Sequence, residues 1–170
     1  LVHGAPWLGL AGHGPADLQI GLDVVLLIMT IMAGRVIPMF TNNGVPGANA
    51  TRHPRVEQAA VGSVLALLAF DALQAAGVML PSALLALLAT AAAVVHAARL
   101  WLWQPWTTRH TPLVWVLHLA CAWIPLHLLL RAGAAAALLP AGPATHALTA
   151  GAIGLLTLGL MTRTARGHTG

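Results

Sequence analysis

The 170-residue chain is 58% hydrophobic and only 7% charged, with a mean hydropathy of +0.81. A water-soluble domain carries about a quarter charged residues, so this composition excludes one and points to a protein embedded in a membrane. Eight arginines, no lysine and four acids leave a formal charge of +4. The arginines lie at the ends of apolar runs and not in a cluster, which excludes a nucleic-acid partner and makes them reporters of topology.

Residues 1–14 hold two histidines and no positive region ahead of an apolar core, so they do not read as a secretory signal. The first residue is not methionine and Gly170 follows no closing element, so the sequence is expected to be an internal piece of a longer membrane protein. The rest of that chain is then its partner, together with the lipid bilayer.

A spanning helix needs about 20 mostly apolar residues, and five runs reach or approach that length: 18–37, 57–80, 82–103, 112–131 and 144–162. Pro15 and Asp17 open the first, Pro54 precedes the second, Pro81 ends it, and Ser82 is placed to cap the third. The expected fold is all-α, a polytopic transmembrane helix bundle of five spans forming one domain over 1–170. Between the first two runs lies a turn-rich stretch with Pro38, Pro46 and an Asn43-Gly44 turn signal, so irregular backbone is expected over 34–48.

Cytoplasmic loops hold the excess of Lys and Arg. Arg35, Arg52, Arg55, Arg99, Arg109, Arg163 and Arg166 fall on one set of alternate loops, and Arg131 alone falls on the other. That asymmetry supports the five-span count and puts the loop after the first run inside. Trp101, Trp103 and Trp106 gather at the inner end of the third run, where amphipathic rings anchor at the headgroups. On the fifth run Ala147, Gly151, Gly154 and Leu158 form a stripe along which a neighbouring helix can approach.

Ionisable residues inside spans usually face the protein interior and have a function. Counting along each run sorts them into two tiers: His96 and His118 toward the inner face, and Asp23, Asp71, His127 and His146 toward the outer face. Two histidines at one depth on consecutive antiparallel helices have the geometry of axial haem ligation or a shared metal. The other reading of each is a hydrogen bond to a carbonyl on a neighbouring helix. His118 and Cys121, three apart, share a helix face and offer a nitrogen and sulfur pair to copper, whereas His118 and His127 fall on opposite faces. Met29 and Met32 supply thioethers suited to copper(I), or simply fill helix contacts. Arg35, next to Pro38, reads as an orientation anchor or as a clamp for a haem propionate. Asp23 and Asp71 suggest a proton relay, and hence a proton-coupled secondary transporter as the alternative function. No catalytic triad, phosphate-binding glycine loop or four-ligand zinc spacing is present.

The run Gly34-Arg35-Val36-Ile37-Pro38-Met39-Phe40-Thr41-Asn42-Asn43-Gly44 resembles the signature segment of the NnrS family of bacterial membrane proteins. The segment Leu117-His118-Leu119-Ala120-Cys121-Ala122-Trp123-Ile124-Pro125-Leu126 and the segment from His146 to Gly154 resemble two further family blocks, as does Met161-Thr162-Arg163 with Arg166-Gly167-His168-Thr169-Gly170. The blocks run in family order from Gly34 to the last residue. This resemblance implies a multi-pass protein of the bacterial inner membrane that contains haem and copper and takes part in the response to nitric oxide and nitrosative stress. Nitric oxide is then the implied small-molecule ligand. The resemblance does not say which histidines bind metal. From burial and depth, His96, His118 and Arg35 are the candidates for the haem, and His127, His146, Met29 and Met32 for the metal.

Overall fold

A computed structural model describes residues 15–169. The readings of 1–14 and of the side chains from Arg166 onward lie outside the described residues. Five helical rods in the described chain are long and apolar enough to cross a membrane. They are α1 (Pro15–Gly44), α2 (Pro54–Ala75), α3 (Ser82–Leu102), α4 (Pro112–Ala135) and a composite fifth rod. The fifth begins as α5 (Gly142–His146), widens into a π-helix over Ala147–Gly154 and finishes as α6 (Leu155–Thr169).

The first rod is longer than its apolar run. Pro38 has no N–H to give the Gly34 carbonyl, yet the helix continues to Gly44. Gly34 has no Cβ, and Thr41 Oγ1 donates to the Ile37 carbonyl at 2.8 Å, tying the turn that follows the proline. The irregular backbone expected over 34–48 is therefore confined to the segment after Gly44, where Gly47 takes the left-handed φ of +77° that a side chain disfavours. Asn42 holds this loop like a clasp: its Nδ2 donates to the Ala50 carbonyl at 3.0 Å and its Oδ1 accepts from the Ala50 N–H at 2.7 Å.

The second rod stops at Ala75, short of the expected residue 80, because Gly77 at φ +87° reverses the chain. The N–H of Val78 reaches the Leu73 carbonyl and that of Gly77 reaches Gln74, the paired closure of a Schellman stop. Helix α4 ends the same way, with Leu138 bonded to Gly133 and Ala137 to Ala134, but here Ala137 carries the positive φ of 57°.

Helix α4 is the central rod, touching α1, α3 and all parts of the fifth rod, while α2 bridges α1 and α3. Ala89, Ala92 and Ala93 form the buried face of α3, and their small side chains let its neighbours approach closely. Leu26, Leu67, Leu128 and Leu148 fill the space between the rods. Leu87, Val94 and Leu158 remain exposed on the outside, as lipid-facing positions require.

Three further expectations change. Arg99 belongs to α3 and is 2% exposed, so it is an interior residue and not a loop arginine. Trp103 is 2% exposed and turned inward, whereas Trp101 and Trp106 stay at the surface with ring centroids 4.6 Å apart. The small-residue stripe of the fifth rod holds in its first half, where Ala147 and Gly151 are buried, and is lost by Leu158, which is exposed. Gly151 receives the Trp123 ring, a Cβ at Gly154 would meet only the Thr149 carbonyl, and Gly159, off the stripe, abuts Val116 and Leu117.

Candidate functional site

At the inner end, Arg99 is the polar centre. Its Nε donates to Glu57 Oε1 at 3.0 Å, and its Nη2 donates to Glu57 Oε2 at 2.6 Å and to the Thr30 carbonyl at 2.7 Å. The guanidinium carbon also lies 4.8 Å from the centroid of the Trp103 ring. This fork satisfies a charge that hydrocarbon would not tolerate alone. It also explains Gly34, because any Cβ there would collide with the Arg99 guanidinium and the Glu57 carboxylate.

His118 and His96 both border Trp103, but in different ways. The two ring nitrogens of His118 face backbone carbonyls, Val114 at 3.2 Å and Trp103 at 3.2 Å, with Thr41 Oγ1 at 3.3 Å. The ring is thus surrounded by acceptors and ties α4 to the end of α3 and to α1. His96 is also buried, yet its Nε2 has no hydrogen-bond partner. It lines a cavity of about 10 Å³ with Cys121, Trp103 and Arg99, and Trp103 Nε1 is likewise unpartnered. His118 does not line that cavity. The structure therefore groups Cys121 with His96, across two helices, where helix spacing alone grouped it with His118.

At the outer end, Arg131 Nη1 donates to Asp23 Oδ1 at 2.8 Å, and Nη2 donates to Asp71 Oδ2. Gln19 Nε2 adds a bond to Asp23 Oδ1 at 3.1 Å. His127 follows the bundle inward from this group. Its Nδ1 donates to the Ala144 carbonyl at 2.8 Å, so in the neutral ring the lone pair sits on Nε2, which is buried and unpartnered. A histidine oriented through Nδ1 with Nε2 free has the arrangement of a metal ligand with its supporting bond already made.

The remaining candidates are more dispersed. His146 is exposed on the wall of an apolar groove of about 570 Å³, beside Trp123, Gly151 and Leu155. Met29 is buried in the core, but Met32 is 53% exposed and points away from it, so the two thioethers do not converge. Arg35 is exposed and shares a groove of about 400 Å³ between α1 and α2 with Arg52 and Glu57. Among the described residues, no three His, Cys, Asp or Glu side chains gather closely enough to hold a metal ion by themselves. The residues that sequence reasoning missed are Arg99 and Arg131, which it read as loop charges. The overlooked signal was an acid at matching depth on another run, Glu57 for the first and Asp23 with Asp71 for the second.

Five membrane-length rods, ion pairs sealed between them and inward histidines with free nitrogens define a polytopic α-helical membrane protein. The chain matches the NnrS protein family over residues 1–170 and belongs to it. Neither a curated protein sequence nor a solved structure matches the chain.

Proposed function

We propose that this chain serves the response to nitric oxide and nitrosative stress as a haem- and copper-binding protein of the bacterial inner membrane, with copper held by His96 and Cys121. The observation that carries this reading is that His96, whose buried Nε2 has no partner, lines one small cavity together with Cys121. A buried polar nitrogen without a partner is costly unless something occupies the space in front of it. Imidazole and thiolate together suit copper(I), and a cavity of about 10 Å³ holds one small guest. Membership of the NnrS family supports the nitric-oxide role at family level. Copper, when bound, would supply a soft centre held by nitrogen and sulfur. The chain's own part is to hold the imidazole lone pair in place, to bring the Cys121 sulfur to the same cavity from a second helix and to exclude water.

A porphyrin has no room beside His96. Its proposed seat is the apolar groove of about 570 Å³ where His146 and Trp123 stand, a size within the range of about 300–1,000 Å³ typical of ligand pockets. His146 would hold the haem iron there, with Trp123 beside it. Arg35 lies at the other end of the bundle from His146, so its proposed role is interfacial anchoring and not clamping that porphyrin.

The test is metal and haem analysis of the purified full-length protein. His96→Leu and Cys121→Ser should each lose copper while keeping the Soret band, and His146→Leu should shift or abolish that band while keeping copper. Full copper in His96→Leu refutes the copper site, an unchanged Soret band in His146→Leu refutes the haem seat, and a wild-type protein with neither group refutes the function. The proton-coupled alternative rests on a different observation, the meeting of Asp23 and Asp71 at Arg131.

A further inference from the structure

Two carboxyls converge on one guanidinium at the outer end of the bundle. Asp23, on α1, is 0% exposed, Asp71, on α2, is 8% exposed, and Arg131, on α4, is 6% exposed. With both acids ionised the group carries one uncompensated negative charge in a hydrocarbon setting, where ionised side chains are tolerated only when paired. The hydrogen bonds show where the imbalance falls. Asp23 Oδ1 accepts from both Arg131 and Gln19, but Asp23 Oδ2 is buried with no donor at all. Asp71 bonds the other arm of the same guanidinium through Oδ2, so the two carboxyls are held side by side on Arg131.

We propose that Asp23, Asp71 and Arg131 form a proton-binding site that holds a single proton between the two carboxyls and exchanges it with the outer face. That proton removes the surplus charge and supplies the hydrogen that Asp23 Oδ2 lacks, since two acids sharing one site do not both ionise. Arg131 then neutralises the carboxylate that remains.

The neighbouring groups leave the task to these three residues. On α1, Gln19 only donates, and Asp17 lies in the exposed first turn. On α4, His127 donates Nδ1–H to Ala144 and keeps its Nε2 free, but it lies one turn from Arg131, so a proton there would set a second cation beside the guanidinium. The ionisable residues of α3, His96 and Arg99, belong to the inner end, where Arg99 is committed to Glu57. His146, on α5, is exposed. Asp71 provides the way out: with Gln19 and Gln74 it lines a cavity of about 420 Å³ beneath the hairpin that carries Gly77 and Met79. The site is independent of any metal, and its test does not involve one.

Infrared spectroscopy of the full-length protein tests the proposal through the C=O stretch of a protonated carboxylic acid. At neutral pH the wild type should show one such carboxyl equivalent that moves in D2O and also moves when aspartate is supplied isotopically labelled. Asp23→Asn and Asp71→Asn should each remove it, because one carboxylate and Arg131 then balance without a proton. The labelled wild type alone decides the matter if a variant fails to fold. No aspartic-acid band in the wild type overturns the site, as does a band that persists in both variants. Stabilisation by sodium at fixed pH without that band overturns it in favour of a metal cation.

Discussion

Removing Glu57 tests whether the interior of this bundle depends on the charge pairing at its inner end. In Glu57→Ala, Arg99 loses its bonds at 3.0 and 2.6 Å and keeps only the Thr30 carbonyl and the face of Trp103. Breaking a buried pair by deleting one partner costs about 3–5 kcal/mol. The Glu57 side chain is 17% exposed, so some water reaches the vacated side, and the expected loss is about 3 kcal/mol, the lower end of that range. At 1.4 kcal/mol per decade, this is about a hundredfold in the unfolding equilibrium. Replacing both partners by leucine should recover most of the loss, because the stranded charge is gone. Equilibrium unfolding of the full-length protein in detergent measures the single and double variants side by side. A Glu57→Ala loss below about 1 kcal/mol, the worth of an exposed pair, refutes the reasoning, as does a double variant no better than the single one.

Other substitutions probe single contacts. Gly151→Ala places a methyl 2.5 Å from Cδ2 of Trp123 and should cost about 1–3 kcal/mol by overpacking, read as lower stability with a shifted tryptophan emission. Asn42→Ala removes both bonds to Ala50, at about 0.5–1.5 kcal/mol each, and should speed hydrogen exchange in the loop after Gly44 while leaving the rods protected. Ala137→Gly relieves a left-handed alanine at φ 57°. A residue in that region costs about 1–2 kcal/mol, and the added freedom of the unfolded chain offsets part of the gain. A small rise in thermal stability is the expected result.

Length and polarity were legible along the chain, whereas direction around each helix was not. Five apolar runs declare five rods because a bilayer imposes a minimum length, and histidines inside those runs stand out at once. A helix that is apolar all round has no face that periodicity can pick out. Met29 and Met32 therefore looked equivalent, although one is buried and the other meets lipid. Partners were hidden for a related reason. Arg131 meets Asp23 across 108 residues and Asp71 across 60, and depth alone does not say which rods adjoin. Arg99 near the end of its run looked like a loop charge, and only the neighbouring Glu57 gives it an interior role. Nor does composition announce the π winding that runs through the glycine stripe.

That wider coil between Ala147 and Gly154 gives the fifth rod more chain than an α-helix of the same height requires. Losing a residue there tightens the coil to ordinary turns and leaves the flanking surfaces aimed as before. The same loss in α3 would swing every later side chain by about 100° and turn the Arg99 guanidinium into the acyl chains. A change in chain length is thus absorbed at one level of the bundle and disruptive at the levels where charge is sealed inside.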